Sequence, residues 1–342
     1  MSLGLKLNKM LYIPHPSDKT LTEYYDKVKG QIKNNITDSD LKDDIKLFLN
    51  NNLKNIIKSK PEQLKNWNDT FFSNYFNKLE MKYFNIYSAY VNANNRTAFQ
   101  ILLCKYFDAR IKPIKKIFDY KNILSNSSYK SYWLSKEIDT NTCVYCNRLY
   151  ANTIEVGSGS NSEKRIARPT FDHWFSQSKH PILALSFYNL IPSCSVCNSS
   201  IKGVLEFDRS THLHPYEEDK RNAFYFSYDY KTFNDSQVII KNFDKLNDKV
   251  KKTINDFKLV EVYNSHSDKE LKDLLELRLK YSKNYIDTLV NKTFKGIANE
   301  AEVYRMIFGI EISEEYYHKR PFSKFKKDII DKLLSIDYIK KD

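Results

Sequence analysis

Glycine is scarce in this chain, with 7 among 342 residues, and Gly30 is the sole one between Leu21 and Trp133. Over that stretch apolar and aromatic residues recur at helical spacing, as in Leu41, Ile45, Leu47, Phe48 and Leu53, which predicts a helical domain. Pro61 suits the first turn of a new helix, whereas Pro113 is expected to bend or break the run after Ile111. Long apolar runs are missing as well. Nothing approaches the roughly 18 residues a bilayer span needs, and the opening MSLGLKLNKMLYIPHPSD lacks the apolar stretch of a signal peptide. No membrane association and a cytoplasmic location are therefore expected. No repeat of fixed period and no low-complexity tail occurs, which sets aside solenoids and linkers.

Acidic residues are outnumbered, with 42 Asp and Glu against 55 Lys and Arg, a net charge of +13. A positive field of this size favours polyanionic partners, nucleic acid first among them. A lysine-rich composition also arises from AT-rich coding sequence, so charge supports that reading without deciding it. With 41% hydrophobic and 14% aromatic residues the chain has the makings of a sizeable core, and its length suits one large or two ordinary domains.

Cysteine is sparse but not scattered. Cys104 stands alone in an apolar run and reads as a core residue. The other four form two pairs, Cys143-Val144-Tyr145-Cys146 and Cys194-Ser195-Val196-Cys197. In a reducing compartment, CxxC pairs of this kind point to a tetrahedral metal site more than to disulfides. Four thiolates close the coordination sphere, so such a zinc would be structural. A redox role fits poorly, because neither pair opens a helix of a recognisable βαβ unit.

Composition changes over Thr140–Gly203, which holds the cysteine pairs, several prolines and the loop-like run 157–162, Gly-Ser-Gly-Ser-Asn-Ser. Beyond it, Phe224, Phe226, Tyr228 and Tyr230 alternate as one face of a strand, with Val238 to Ile240 as its hairpin partner. Ser267-Asp268-Lys269-Glu270 reads as a capping box before a long amphipathic helix. The expected architecture is α+β and mainly helical. It comprises a helical part over 1–139, a compact functional part over 140–215, and a hairpin followed by helices over 216–342, packed on the middle part.

Between the cysteine pairs lie Phe171-Asp172-His173-Trp174 and Ser186-Phe187-Tyr188-Asn189-Leu190, and the second pair runs into Asn198 and then Lys202-Gly203. The order CxxC, DH, NL, CxxCN, KG resembles the HNH endonuclease family over about sixty residues. The resemblance implies a ββα-metal module, two strands and a helix around one divalent cation, hydrolysing phosphodiester bonds. In that scheme His173 is the general base, Asp172 and the side-chain oxygen of Asn198 bind Mg²⁺ or Mn²⁺, and Asn189 orients the loop that carries the base. Many family members carry His where Asn198 stands, and an amide oxygen shifts preference toward a hard cation. The family commonly has proline three residues after the histidine, where this chain has Ser176.

DNA is the substrate the resemblance implies, with RNA as an alternative. Similarity to HNH subunits of bacterial anti-phage systems, such as Septu and retron-associated ones, implies a defence effector working with a partner ATPase. Each residue also has an ordinary role when taken singly: His173 a packed histidine, Asn189 a turn residue, Asn198 a helix-end residue, Asp172 a cap. A non-catalytic zinc-binding module that holds nucleic acid is the competing expectation.

Lys202, one helical turn after Asn198, is placed to reach a phosphate, and Gly203 to end the helix. His212 and His214 have metal-like side chains but no evident partner cluster. Two basic runs with nearby aromatics, Lys112, Lys115, Lys116 and Lys121, then Lys319, Arg320, Lys324, Lys326 and Lys327, read either as phosphate contacts or as wet helix faces.

Overall fold

A computed structural model describes residues 11–156, 164–217, 223–232, 235–280 and 283–335. Among these residues the fold is mainly helical with three two-stranded antiparallel sheets. Six helices come first: α1 (Asp18–Thr37), α2 (Asp43–Lys58), α3 (Pro61–Tyr75), α4 (Lys78–Tyr90), α5 (Ala98–Ile117) and α6 (Ser128–Ile138). The strands follow as β1 (Ile154–Val156) with β2 (Lys164–Ala167), then β3 (Thr170–His173) with β4 (Leu190–Ser193). Last come β5 (Phe226–Thr232) with β6 (Asp235–Ile240), then α7 (Asp248–Asp256), α8 (Leu259–Asn264), α9 (Lys272–Lys280), α10 (Lys283–Thr288), α11 (Glu300–Phe308) and α12 (Ser323–Ser335). The loop-like run over 157–162 lies outside the described residues.

The first helices form because each carries one apolar stripe. In α1 it is Leu21, Tyr24, Val28, Ile32 and Ile36, behind a Ser17 cap whose hydroxyl accepts the Thr20 N–H. In α2 it is Ile45, Leu49, Leu53, Ile56 and Ile57; Leu47 falls on the opposite side of the helix and is 61% exposed. Pro61 opens α3 at its first turn, as its fixed φ favours. Asn77 with Glu80 and Thr97 with Gln100 build capping boxes at the starts of α4 and α5.

Two local expectations change. Pro113 lies inside α5 and does not end it. The ring removes a single helical N–H near the C-terminus, while Ile111, Ile114 and Ile117 on the same helix are fully buried and hold the last turns in place. Ser267 makes no capping box: its hydroxyl donates to the Asn264 carbonyl, and Ser267–Leu271 is a π-type turn leading into α9. The hairpin register agrees with the alternation in sequence, Phe226 opposite Ile240 and Tyr228 opposite Val238, with Phe224 and Phe226 buried and Tyr230 exposed.

One buried apolar cluster draws on residues from all three sequence regions, from Leu11 to Leu333. The middle region is gripped from both sides. The Tyr24 hydroxyl donates to the Leu185 carbonyl at 2.9 Å, Ser186 Oγ donates to the Ile56 carbonyl at 2.6 Å, and Ile13 N–H donates to the Pro215 carbonyl at 2.7 Å. From the C-terminal side, the Tyr263 hydroxyl donates to the Cys146 carbonyl at 2.7 Å and Phe322 N–H to the Asn147 carbonyl at 2.6 Å.

The buried Asp328 on α12 receives Lys324 Nζ at 2.7 Å and the Phe226 N–H at 2.9 Å, which ties β5 to the last helix. Asp328→Leu strands the Lys324 charge, whose side chain is 2% exposed. Chemical denaturation is expected to show a loss of roughly 3–5 kcal/mol.

Candidate metal centre and hairpin site

The first cysteine pair sits in a tight turn. Cys143 N–H donates to the Leu149 carbonyl at 2.9 Å, and Asn147 N–H returns to the Cys143 carbonyl at 2.8 Å. Asn147 adopts φ 46°, a left-handed value that asparagine tolerates better than most residues. Its side-chain amide donates to Thr142 Oγ1 and to the Tyr317 and Arg320 carbonyls, so the C-terminal region locks this turn. The second pair spans the end of β4 and the helix Val196–Lys202, and Val144 N–H donates to the Pro192 carbonyl across the gap.

All four sulfurs are buried, and they lie within 4.8 Å of one another. A tetrahedral ion with bonds of ~2.3 Å needs sulfurs about 3.8 Å apart, so a small inward adjustment completes the sphere. Cys194 Sγ also accepts the Cys197 N–H at 3.4 Å, a bond suited to a sulfur carrying thiolate charge. The cluster can hold a metal ion such as zinc. Among the described residues it is the one grouping of this kind.

Asp172 and His173 close β3, paired with Ile191 and Leu190 of β4. Because strand residues alternate, the two side chains part. Asp172 turns inward at 4% exposure. Its Oδ2 accepts the Tyr145 hydroxyl at 2.6 Å and its Oδ1 accepts Lys202 Nζ at 2.9 Å. Lys202 was expected to reach outward to a phosphate, yet it is 3% exposed, donates also to the His173 carbonyl at 2.7 Å, and lies over the Phe207 ring. An unpaired carboxylate this deeply buried draws in the nearest cation, which explains the inward turn. Gly203, with φ 46°, ends the helix after it.

His173 is half-buried as a residue, and its ring is held on three sides. One ring nitrogen, Nε2, donates to the Ala184 carbonyl at 2.9 Å, which fixes that nitrogen as the protonated one. The Gln177 amide approaches Nδ1 at 3.2 Å and Nε2 at 2.7 Å; with Nε2 protonated, the Nδ1 contact is the compatible donation. Tyr120 stands edge-on at 4.5 Å between ring centres. Burial pulls the His173 pKa down to about 4, with the Ala184 bond opposing the shift, so the ring is neutral near pH 7.

Asn189 is fully buried. Its Oδ1 accepts Phe175 N–H at 2.7 Å, and its amide donates to the Phe175 and Leu183 carbonyls. These bonds pin both ends of the loop that presents the Ala184 carbonyl to His173. The Asn198 side chain, on the half-buried start of the helix, has no hydrogen-bond partner among the described residues.

The structure therefore brings Asp172 and Lys202 into direct contact and sets His173 beside them. It does not leave Asp172 open to a divalent cation. Both carboxylate oxygens have donors, and a second cation would meet the ammonium at close range. His212 and His214 are buried packing residues. His212 bonds Asp256 and Thr211 and stacks on Phe207, while His214 lies against Trp174.

Sequence reading missed Tyr145, Gln177 and Tyr120 as neighbours of the site. Tyr145 alone had a visible signal, a phenol inside the first cysteine pair. No family model, curated protein or solved structure matches this chain.

Purified protein is expected to carry about one zinc per chain by plasma mass spectrometry, and Cys197→Ser to lose it together with much of its thermal stability. A metal-free wild type with an unchanged melting temperature would remove the structural role.

Proposed function

We propose that this chain is a nuclease of the HNH kind that hydrolyses DNA phosphodiester bonds, with His173 as general base. The observation that carries the proposal is the His173 hydrogen bond to the Ala184 carbonyl, which makes Nδ1 the acceptor of a neutral ring; the Gln177 amide meets that nitrogen at 3.2 Å, and an attacking water would take its place. Phosphodiester hydrolysis needs a proton removed from water, and a neutral imidazole held in one tautomer does this near pH 7. As the ring charges, the Ala184 carbonyl stabilises the imidazolium, as the backbone bond already raises its proton affinity. The order of strand, loop, strand and helix around Asp172, His173 and Asn198, beside a cysteine cluster, adds support.

In HNH-type chemistry a divalent cation neutralises charge growing on the phosphate. Here that position on Asp172 is held by Lys202, and the same fact favours a second reading, a non-catalytic zinc-binding protein that holds nucleic acid. In that reading Asp172, Lys202 and His173 are a structural knot. A third keeps the chemistry and makes RNA the substrate; parallel digestion of labelled DNA and RNA tells these apart. A role as a defence effector with a partner ATPase rests on the resemblance in sequence alone.

Incubation of wild type with supercoiled plasmid and Mg²⁺ is expected to give nicked or linear product, and His173→Ala to retain the fold while losing about 10²–10⁴ in rate. Wild type that leaves both DNA and RNA intact would sink the catalytic reading.

Lys202→Met isolates the buried Asp172 charge and is expected to lower stability by roughly 3–5 kcal/mol. Mn²⁺ should raise the melting temperature of this variant and leave wild type little changed. No Mn²⁺ effect on the variant would mean that Asp172 offers no divalent-cation position even when vacated.

A further inference from the structure

Sequence offers two basic runs of equal promise, and the structure separates them by their partners. In the second run, Lys324 is buried against Asp328, Lys326 pairs with Glu270 at 2.7 Å, and Arg320 pairs with Glu311 at 3.2 Å. Lys319 and Lys327 are likewise bound to Asp139 and Asp331. Those charges are answered within the fold.

The first run differs. Lys112, Lys115, Lys116 and Lys121 are exposed, and none has a carboxylate partner among the described residues. The buried Ile111, Ile114, Ile117 and Phe118 fix the opposite side of the segment, so the lysines face outward by the geometry of the helix. The chain then leads directly to Tyr120, whose ring meets His173. On the neighbouring strand connection, Arg168 donates to the Ser125 and Pro169 carbonyls and has no carboxylate partner among the described residues. Asp38 and Asp40 line a shallow hollow with Lys112 and Lys116 and weaken the field at that end. Lys115 and Lys121 stand away from that hollow, and in the same segment Asp119 bonds Asn122, so the unanswered charges of Lys115, Lys121 and Arg168 are those that flank Tyr120 in the chain or adjoin its segment through Ser125.

We infer that the last turns of α5 and the segment after it, together with Arg168, form a phosphate-binding track for duplex DNA that ends at His173. The inference deepens the proposed nuclease and rests on it for the choice of DNA. Uncompensated lysines along a rigid helix contact phosphates without reading sequence, and binding through them releases counterions. Substrate would lie across the α5 end with its backbone at Tyr120.

The test uses the full chain carrying His173→Ala, without added divalent cation, and a labelled mixed-sequence DNA duplex titrated at several salt concentrations. K115E/K116E/K121E should flatten the slope of log affinity against log salt by about three, one for each lost phosphate contact. K241E/K245E/K269E makes the same change in net charge on exposed lysines elsewhere and should leave the slope nearly unaltered. Equal loss in both triple variants, or no change in the first, overturns the track. Tighter binding of an RNA duplex of the same sequence overturns DNA as its occupant. Failure of the nuclease reading shows separately, as intact plasmid with wild type whose duplex binding and triple-variant response are as expected.

Discussion

The convergence of four cysteine sulfurs is the constraint on which the middle of the molecule depends. One pair belongs to a turn locked by the C-terminal region through Asn147, Tyr263 and Phe322. The other belongs to β4 and the helix after it, which lie on the loop gripped by α1 and α2 through Tyr24 and Ser186. The first turn also buries Val144 and Tyr145 in the common apolar cluster, whereas Val196 of the second is exposed. Joining them at a single point ties the N-terminal helices to the C-terminal hairpin and helices, and a bound ion would add to the apolar packing that Phe171, Leu190 and Ile191 give the short strands. Tyr145 carries this constraint to the hairpin site, since it stands between two of the sulfurs in sequence and donates to Asp172.

Asp172 and Lys202 illustrate how burial converts a weak interaction into a decisive one. At the surface such a pair contributes little, because water screens it and both side chains lose freedom. With exposures of 3% and 5%, neither charge has an alternative partner in solvent. The pair itself adds modest net stability, since desolvation offsets the attraction, but losing either member leaves an uncompensated charge. For the proposed site the consequence is that a cation approaching Asp172 would compete with an ammonium already bound to strand and carboxylate, so the position of the helix carrying Lys202 and Asn198 would decide whether Asp172 is reached.

Legibility in the sequence followed the length scale of the signal. The helical N-terminal half and the β5–β6 register were readable because each buries one side, and burial writes a period of 3.6 or 2 into the residue pattern. The cysteine cluster was readable from spacing, because tetrahedral coordination by thiolates restricts how the sulfurs are arranged. The course of α5 through Pro113 was not, since one missing N–H is outweighed by distant packing that no local window contains. Ser267 failed for a related reason: its hydroxyl found the Asn264 carbonyl at the end of α8, a competing acceptor that only the folded chain supplies. Lys202 followed the same rule. Its spacing from Asn198 and from Gly203 was visible, but its direction was set by the carboxylate thirty residues earlier.

The two lysine runs and the two kinds of histidine extend this to function. His173, His212 and His214 are alike in sequence in that each stands beside at least one apolar residue. What distinguishes His173 is that the residue is half-buried, against almost fully buried residues for the other two, and that a single backbone carbonyl sets its tautomer. Likewise Lys115 and Lys326 have similar neighbours along the chain, yet one meets solvent and the other meets Glu270. Residue type supplies the chemical possibility in each case, and the partner supplied by the fold decides whether that possibility is used internally or left available to a ligand. A positive field therefore reaches a polyanion mainly from cations the fold has left unanswered, and the segment from Lys112 to Lys121 that carries them leads through Tyr120 to His173, the least buried residue of these three histidines.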